Sequence, residues 1–240
     1  MICYPVSMKK SSILITLLTA FFLMSCTVSE EMVLGKENSA SGTDIKVYDF
    51  FAEVLADQAD LLTGSSADIV DNTMKDFTRG LANSGAATDV ILIPRGRNSY
   101  TLSFGFSQFG DVIKALGGAG IEQSVIRETE NSLSFYLDLD NYGDLEQAIP
   151  FLADPNFEVY GPRYNEGMSP DEYLEMMYYL LGEDAPEAIS ESLITIEIEV
   201  PSAIKTAEGC TRLDSRTVRY ELPLLDFLLL AEPLSFSVTW

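Results

Sequence analysis

Alternating apolar and polar side chains near the C-terminus constrain the fold of this chain more than any other feature. Three runs between residues 193 and 240 share the alternation. Their apolar positions are Ile194, Ile196, Ile198 and Val200; then Val218, Tyr220 and Leu222; then Leu234, Phe236, Val238 and Trp240. A period of two belongs to strands that bury one face and leave the other in water. We therefore expect antiparallel strands in this part of the chain.

A second β-rich stretch lies between Asp89 and Leu137. An apolar run at 90–93, turn-forming residues at 94–98 and alternation at 100–106 predict a hairpin with one buried face. Residues 125–126 and 133–137 predict another pair of strands, and residues 111–116 a short helix.

Helical patterns occur before and between these strands. Apolar spacing predicts a helix over residues 48–62 and a second one that begins at Ser66. Ser169, Pro170 and Glu172 form a capping-box pattern that starts a helix ending near Leu181, and Asp184 opens a similar, shorter pattern. The sum predicts an α+β fold: a twisted antiparallel sheet with helices packed on one face. One domain is expected over 44–240, with a helical part at 48–85 and a β-rich part at 89–240.

The N-terminus has the pattern of a secretory signal. Lys9 and Lys10 precede an uncharged apolar run, residues 13–24, and Ser25 and Cys26 follow it. A twelve-residue helix is only about 18 Å long, less than the roughly 30 Å hydrocarbon core, so a permanent membrane span is the weaker interpretation. Residues 1–25 are thus predicted to be a signal peptide. Translation is expected to start at Met8, with Met1 as the alternative.

The residues Leu23-Met24-Ser25-Cys26 resemble the lipobox of bacterial lipoproteins. In that motif the cysteine thiol carries a diacylglyceryl group and becomes the mature N-terminus. We therefore predict fatty acylation, by palmitate or a similar acid, at Cys26, which anchors the protein in a membrane. Thr27 after the cysteine resembles the sorting signal for the outer membrane. A cleaved signal followed by an incidental cysteine is the alternative.

Residues 26–43 are mostly small and polar, with two glycines, and are predicted to be the acylated N-terminus and a flexible tether. Cleavage before Cys26 leaves 215 of the 240 residues and lowers the formal charge from −22 to −24, because two lysines are lost. So acidic a chain lacks the positive footprint that nucleic acid requires. The mature chain keeps Cys210 as its one free thiol, which is expected to be a small buried side chain without catalytic use.

Several local patterns resemble functional motifs but fit them poorly. The chain has no histidine, which excludes His-based triads and imidazole metal ligands. Residues 138–143 begin like a calcium loop, yet Tyr142 and Ile149 stand where an EF-hand needs oxygen ligands, so a strand end leading into a capped helix near Asp144 is favoured. Ser202 and Lys205 have the spacing of an acylating Ser-x-x-Lys motif, but they follow a strand rather than open a helix.

Two further features leave alternatives open. Asp171 and Glu175 would share a helical face, but with so many acids in the chain a catalytic pair cannot be chosen, and a solvated surface is the default. The run Leu224–Leu230 is the densest apolar stretch of the mature chain. We expect a helical turn that closes one end of the core; the alternative is an exposed loop that dips into a membrane or binds a partner.

The segments from Ile149 onward resemble acylated lipoproteins of spirochaetes with an LppM-like β-rich envelope domain. The resemblance spans Asp89 to Trp240, and its marks are the strand ending at Pro201 and the closing stretch from Pro233 to Trp240. It implies an envelope location and contact with lipids or glycolipids, and it brings no catalytic motif.

The predicted function is that of a non-enzymatic lipoprotein of the bacterial cell envelope, at the outer membrane, that binds a lipid-like ligand or a protein partner. The sequence predicts neither a cofactor nor a metal site, and no catalytic residue is nominated. The alternatives are a carboxylate-based, calcium-assisted hydrolase and a structural subunit of an envelope complex.

Overall fold

Two β-sheets and the helices between their strands form the fold. The computed structural model describes residues 26–35, 38–49, 52, 66–115, 124–148 and 158–240. The strands are β1 (Cys26–Val33), β2 (Ser39–Val47), β3 (Ala87–Gly96), β4 (Ser99–Phe106), β5 (Ile126–Thr129), β6 (Ser132–Leu137), β7 (Leu193–Glu199), β8 (Thr206–Glu208), β9 (Thr211–Arg212), β10 (Thr217–Pro223) and β11 (Leu234–Thr239). The helices are α1 (Ser66–Asn83), α2 (Phe109–Ala115), α3 (Tyr142–Ala148), a 3₁₀ turn (Glu158–Tyr160), α4 (Pro170–Leu181), α5 (Ala185–Glu191) and α6 (Leu224–Leu229).

The larger sheet has seven strands in the order β3-β4-β2-β1-β7-β10-β9. Its inner face is apolar because alternate residues of each strand point the same way; Ile45, Leu102, Ile198 and Val218 are all buried there. Its outer face carries polar residues such as the Glu197–Arg219 pair, whose side chains are hydrogen bonded across β7 and β10. The predicted α+β fold class is confirmed.

The centre of this sheet differs from the expected antiparallel arrangement. β1 pairs with β7 in parallel, from Val28 opposite Ile194 to Val33 opposite Glu199. The side-chain pattern of a single strand does not specify the direction of the strand beside it. Pairing of this kind joins segments about 165 residues apart, which local pattern does not encode.

The prediction of a flexible tether over 26–43 is wrong. Within this range, Cys26–Val33 form β1 and residues 39–43 begin β2, and the two strands pair from Cys26–Val47 to Val33–Ala40. Ser39, Ser41 and Thr43 are buried, so β2 does alternate, but with hydroxyl side chains in place of aliphatic ones. A pattern search based on hydrophobicity therefore misses it.

The smaller sheet, β5-β6-β11-β8, is antiparallel and packs against the inner face of the larger one. Three aromatic rings make the contact: Tyr220 of β10 lies 4.9 Å from Phe236 and 6.0 Å from Phe135, between ring centroids. Burial raises the pKa of the Tyr220 hydroxyl to about 12.

Helices complete the core. α1 packs against β3 and buries Val70, Met74, Phe77 and Leu81, as its spacing predicted. The helix predicted over 48–62 lies largely outside the described residues; at its start, the Ala52 amide donates to Tyr48 O at 3.0 Å, as in a first helical turn.

The capping box that opens α4 is confirmed. Ser169 Oγ accepts from the Glu172 amide, and the Glu172 carboxylate accepts from the Ser169 amide at 2.9 Å. Gly182 follows the helix with φ of 96°, a conformation that favours glycine. α5 forms as predicted, but its Asp184 makes no capping hydrogen bond with its side chain.

Candidate functional site at the Cys26 end of the sheet

Cys26, the residue predicted to be acylated, is the first residue of β1 and pairs with Val47, the last residue of β2. β1 lies in the middle of the seven-stranded sheet, between β2 and β7. The backbone at Cys26 is therefore continuous with the fold. No spacer separates it from the domain.

The strand register brings other strand ends to the same edge. Ser99 begins β4 opposite Lys46, Gly96 ends β3 opposite Ser99, and Leu193 begins β7 one residue before the Val28–Ile194 pair. Pro223 ends β10 opposite Leu193. We call these strand ends, together with Cys26 and Val47, the Cys26 edge.

A tight turn fixes the β3–β4 part of the Cys26 edge. Asn98 is buried and has φ of 54°, in the left-handed region that asparagine tolerates better than most residues. The Asn98 side-chain amide donates to Asp49 Oδ1 at 3.0 Å, and the Asn98 main-chain carbonyl oxygen accepts from the Val47 amide at 2.9 Å. These two hydrogen bonds join the turn to the end of β2. Asp49, two residues after that end, also forms a long ion pair with Arg97, at 3.9 Å.

Two open clefts lie at the Cys26 edge. One, of about 570 Å³, has Lys46, Arg95 and Asp44 among its lining residues, and the other, of about 350 Å³, has Arg97, Asp49, Asp184 and again Lys46. Lys46 Nζ lies 5.7 Å from the centre of the Tyr48 ring, and Arg95 Nε donates to Thr101 Oγ1 at 2.8 Å. Neither cation forms an ion pair among the described residues, which leaves both charges available to an outside group.

A third cleft, of about 850 Å³, lies at the other end of the sheet, past the ends of β1, β4 and β7. Its charged lining residues are Asp111, Glu128, Glu130 and Lys114. Glu128 accepts a hydrogen bond from the Phe109 amide at 3.3 Å, yet burial raises the pKa of its carboxyl group. The lining of this cleft is thus mainly acidic, whereas the two clefts of the Cys26 edge together have as many basic residues as acidic ones.

The run Leu224–Leu230 is buried, which confirms the expected helical turn that closes one end of the core. It forms α6, and Leu224, Leu228 and Leu229 are each 5% exposed or less. The Leu224 amide donates to Ser192 O at 3.0 Å, which ties α6 to the start of β7. The end that it closes is the Cys26 edge.

Exposed apolar side chains lie instead at the end of α4. Tyr178, Tyr179 and Leu180 are 47%, 75% and 47% exposed, whereas Tyr173 and Met177 on the same helix are fully buried. The run from Tyr173 to Leu181 has more apolar residues than one helix face can bury, so the composition of this helix was the signal for exposed apolar side chains.

The other candidate motifs are occupied by structural contacts. In the Asp138–Gly143 turn, Asp138 Oδ1 accepts from the Asn141 amide and Asn141 Oδ1 accepts from the Asp138 amide, at 3.0 and 2.9 Å. The hydrogen bond from the Asn141 amide is the main reason why the pKa of Asp138 lies below its usual value. The strand end and the helix after it, α3, are as predicted, although the helix begins at Tyr142 rather than near Asp144.

Ser202, Lys205 and Cys210 are not brought together. Lys205 Nζ donates to Trp240 O at 3.0 Å, whereas Ser202 is exposed in the bend after β7. Cys210 is partly buried, and burial raises the pKa of its thiol, which makes the thiolate less available. Asp171 and Glu175 are both exposed on α4.

No protein-family model matches the sequence. A search of curated proteins found no matching relative. Among solved structures, the chain is similar to the folded domain of LppM from Mycobacterium tuberculosis, solved by NMR, with 10% sequence identity, coverage of 92% of both chains and a TM-score of 0.41. The similarity transfers no residue and no activity, and membership of a spirochaete lipoprotein family stays a prediction. Among the described residues, no helix is long and apolar enough to cross a membrane.

Proposed function

We propose that this protein is a lipoprotein of the bacterial cell envelope, acylated at Cys26, whose domain acts at the membrane by binding rather than by catalysis. One observation carries the proposal. The Leu23-Met24-Ser25-Cys26 motif follows Lys9, Lys10 and an uncharged apolar run, which is the order of a lipoprotein signal, and its cysteine lies in the seven-stranded sheet, paired with Val47.

The chemistry of the motif explains the anchor. A thioether at Cys26 would carry a diacylglyceryl group, and each methylene buried in the bilayer contributes about 0.8 kcal/mol. Two or more acyl chains make the attachment stable, whereas one chain alone is readily reversible. The Thr27 that follows supports sorting to the outer membrane.

Binding as the mode of action is supported by the composition. Histidine, the usual acid–base group near neutral pH, does not occur in the sequence. The exposed apolar side chains at the end of α4 offer a contact surface for a lipid or a protein. The carboxylate-based hydrolase and the structural subunit remain the alternatives.

The test is metabolic labelling in a bacterial host with an alkyne-bearing fatty acid, followed by detergent phase partition. Cys26→Ser should abolish the label and move the protein from the detergent phase to the aqueous phase. Cys210→Ser is the matched control, because it removes the other cysteine of the mature chain, and it should leave both the label and the partition unchanged.

The proposal is overturned if the wild-type protein takes up no label, or if Cys26→Ser keeps it. Label that is lost only in Cys210→Ser would place the acylation at Cys210 and would equally reject the proposed anchor at Cys26.

A further inference from the structure

We propose that the Cys26 edge faces and contacts the lipid headgroups of the bilayer in which the acyl chains of Cys26 are inserted. The inference rests on the proposed function, because it requires acylation at Cys26. It goes further by assigning the orientation of the domain and the residues that meet the membrane.

The position of Cys26 within the sheet limits how far the domain can move away. Cys26 is paired with Val47 at the first position of β1, so the lipid is attached to the sheet itself. The strand ends beside it, including Ser99 and Leu193, are consequently held near the headgroups. Eight residues of β1 span about 26 Å, which keeps the far end of the sheet away from the bilayer.

Cationic side chains in the clefts of the Cys26 edge favour this orientation. Lys46, Arg95 and Arg97 line the clefts of the Cys26 edge and balance Asp44, Asp49 and Asp184 there. The cleft at the opposite end has three acidic residues and one lysine, and the whole chain has a net charge of −22. Lys46 and Arg95 form no ion pair among the described residues, so their charges can pair with the phosphate groups of the lipids.

The exposed side chains at the end of α4 are close in sequence to a residue of this edge. Asp184 lines the same cleft as Val47, the partner of Cys26. Tyr179 precedes Asp184 by five residues, which is a separation of at most about 18 Å along an extended chain. Tyrosine has an apolar ring and a polar hydroxyl group and suits the membrane–water interface, so Tyr179 and Leu180 can enter the headgroup layer as the edge settles on it.

The test uses the full acylated protein, with Cys210→Ser so that one introduced cysteine can carry an environment-sensitive fluorophore. The fluorophore is placed at Glu183, which is exposed and next to Asp184, or at Ser202, which is exposed at the opposite end. The protein is reconstituted into vesicles of phosphatidylcholine and phosphatidylglycerol, about 3:1, that contain a headgroup-linked nitroxide quencher. Sedimentation with the vesicles is measured in parallel.

We expect strong quenching at position 183 and little at position 202. Lys46→Glu with Arg95→Glu should lower the ratio of bilayer-facing to tilted molecules by about fivefold for each cation lost, and the quenching at 183 should fall accordingly. The matched control, Lys114→Glu with Arg212→Glu, makes the same change in net charge away from this edge and should leave the quenching unchanged. Leu180→Ser should also reduce the quenching, whereas Leu213→Ser, which changes a similarly exposed leucine elsewhere, should not.

Two failures are distinguishable. Protein that does not sediment with the vesicles overturns the anchor and the orientation together. Protein that sediments but is quenched equally at 183 and 202, or that responds alike to both charge reversals, keeps its anchor and overturns the orientation; this is the result expected if Cys26 and Thr27 leave the sheet and act as a spacer.

Discussion

The carboxylate of Glu30 in β1 accepts a hydrogen bond from Ser41 Oγ in β2 at 2.5 Å. Thr43 donates a second one to the same carboxylate from the next inward-facing position of β2. The three polar side chains satisfy one another on the inner face of the sheet, where an unpaired polar group would cost about 1–3 kcal/mol. The β1–β2 hairpin is therefore held by polar contacts at its centre and by apolar residues such as Val28 and Ile45 nearer the Cys26 edge.

Glu30→Gln is expected to change how stability depends on pH. Burial raises the pKa of the Glu30 carboxyl group above its usual 4.5, although both hydroxyl donors oppose the shift. The folded chain thus binds this proton more tightly than the unfolded chain does, and the contribution of Glu30 to stability falls as the pH rises through the folded-state pKa. Glutamine, which stays neutral, removes that fall. In urea unfolding, the variant should gain most over wild type near pH 7 and least near pH 4.5.

Glu31→Gln is the control, since Glu31 is exposed on the other face of β1. Its free energy of unfolding should stay within about 0.5 kcal/mol of the wild-type value, because an exposed side chain contributes little to stability. Glu30→Ala should destabilise the fold at all pH values, by about 1–3 kcal/mol for the hydroxyl groups it leaves unpaired. A parallel pH dependence for Glu30→Gln and wild type would contradict the assigned role of the carboxyl group.

The β1–β2 hairpin also shows where sequence patterns stop being sufficient. Leu222, Phe236 and Val238 reveal their strands because large apolar side chains alternate with polar ones. Ser41 and Thr43 occupy equivalent inward positions, but a partner from another strand, Glu30, is what makes them suitable there. The parallel pairing of Val28 with Ile194 likewise depends on the whole topology, which no local segment specifies.

Leu228→Ala is predicted to destabilise the protein by about 2–5 kcal/mol, because its side chain is almost fully buried in α6 and its loss leaves a cavity. Leu180→Ala, at the exposed end of α4, should change the free energy of unfolding by no more than about 0.5 kcal/mol. Chemical denaturation of both variants measures the contrast. Equal effects would mean that α6 does not close the core.

Part of the candidate site could be predicted from the sequence. A local motif points to Cys26, whose acylation stays a prediction, and the expected helical turn at Leu224–Leu230 is confirmed. The sequence did not identify the neighbours of Cys26, because Lys46, Arg95 and Arg97 are far apart in sequence or lie in a turn and meet only through the register of β2, β3 and β4.

Asn98→Ala is expected to destabilise the turn at the Cys26 edge by about 2 kcal/mol. About half of this is the lost hydrogen bond to Asp49, and the rest is the cost of the left-handed conformation for alanine. Asn98→Gly loses the hydrogen bond but tolerates the conformation, so it should cost only about 1 kcal/mol. Urea unfolding of the two variants separates these contributions, and equal losses would exclude backbone strain as a factor.

Two buried tyrosines are predicted to respond differently to substitution by phenylalanine. The Tyr142 hydroxyl group is buried and has no hydrogen-bond partner among the described residues, whereas the Tyr173 hydroxyl donates to Tyr160 O at 3.0 Å. Tyr142→Phe removes an unsatisfied polar group and should be neutral or stabilise the protein by up to about 1 kcal/mol. Tyr173→Phe removes the hydrogen bond to the Tyr160 carbonyl oxygen and should cost about 1 kcal/mol.

Both substitutions keep the aromatic ring, so packing changes little and each variant is a control for the other. Burial raises the pKa of both hydroxyl groups, which therefore stay protonated across the pH range in which the fold can be measured. The difference between the two variants should accordingly be constant from acidic to neutral pH. Destabilisation of Tyr142→Phe as large as that of Tyr173→Phe would show that a bound water molecule or another group satisfies the Tyr142 hydroxyl in solution.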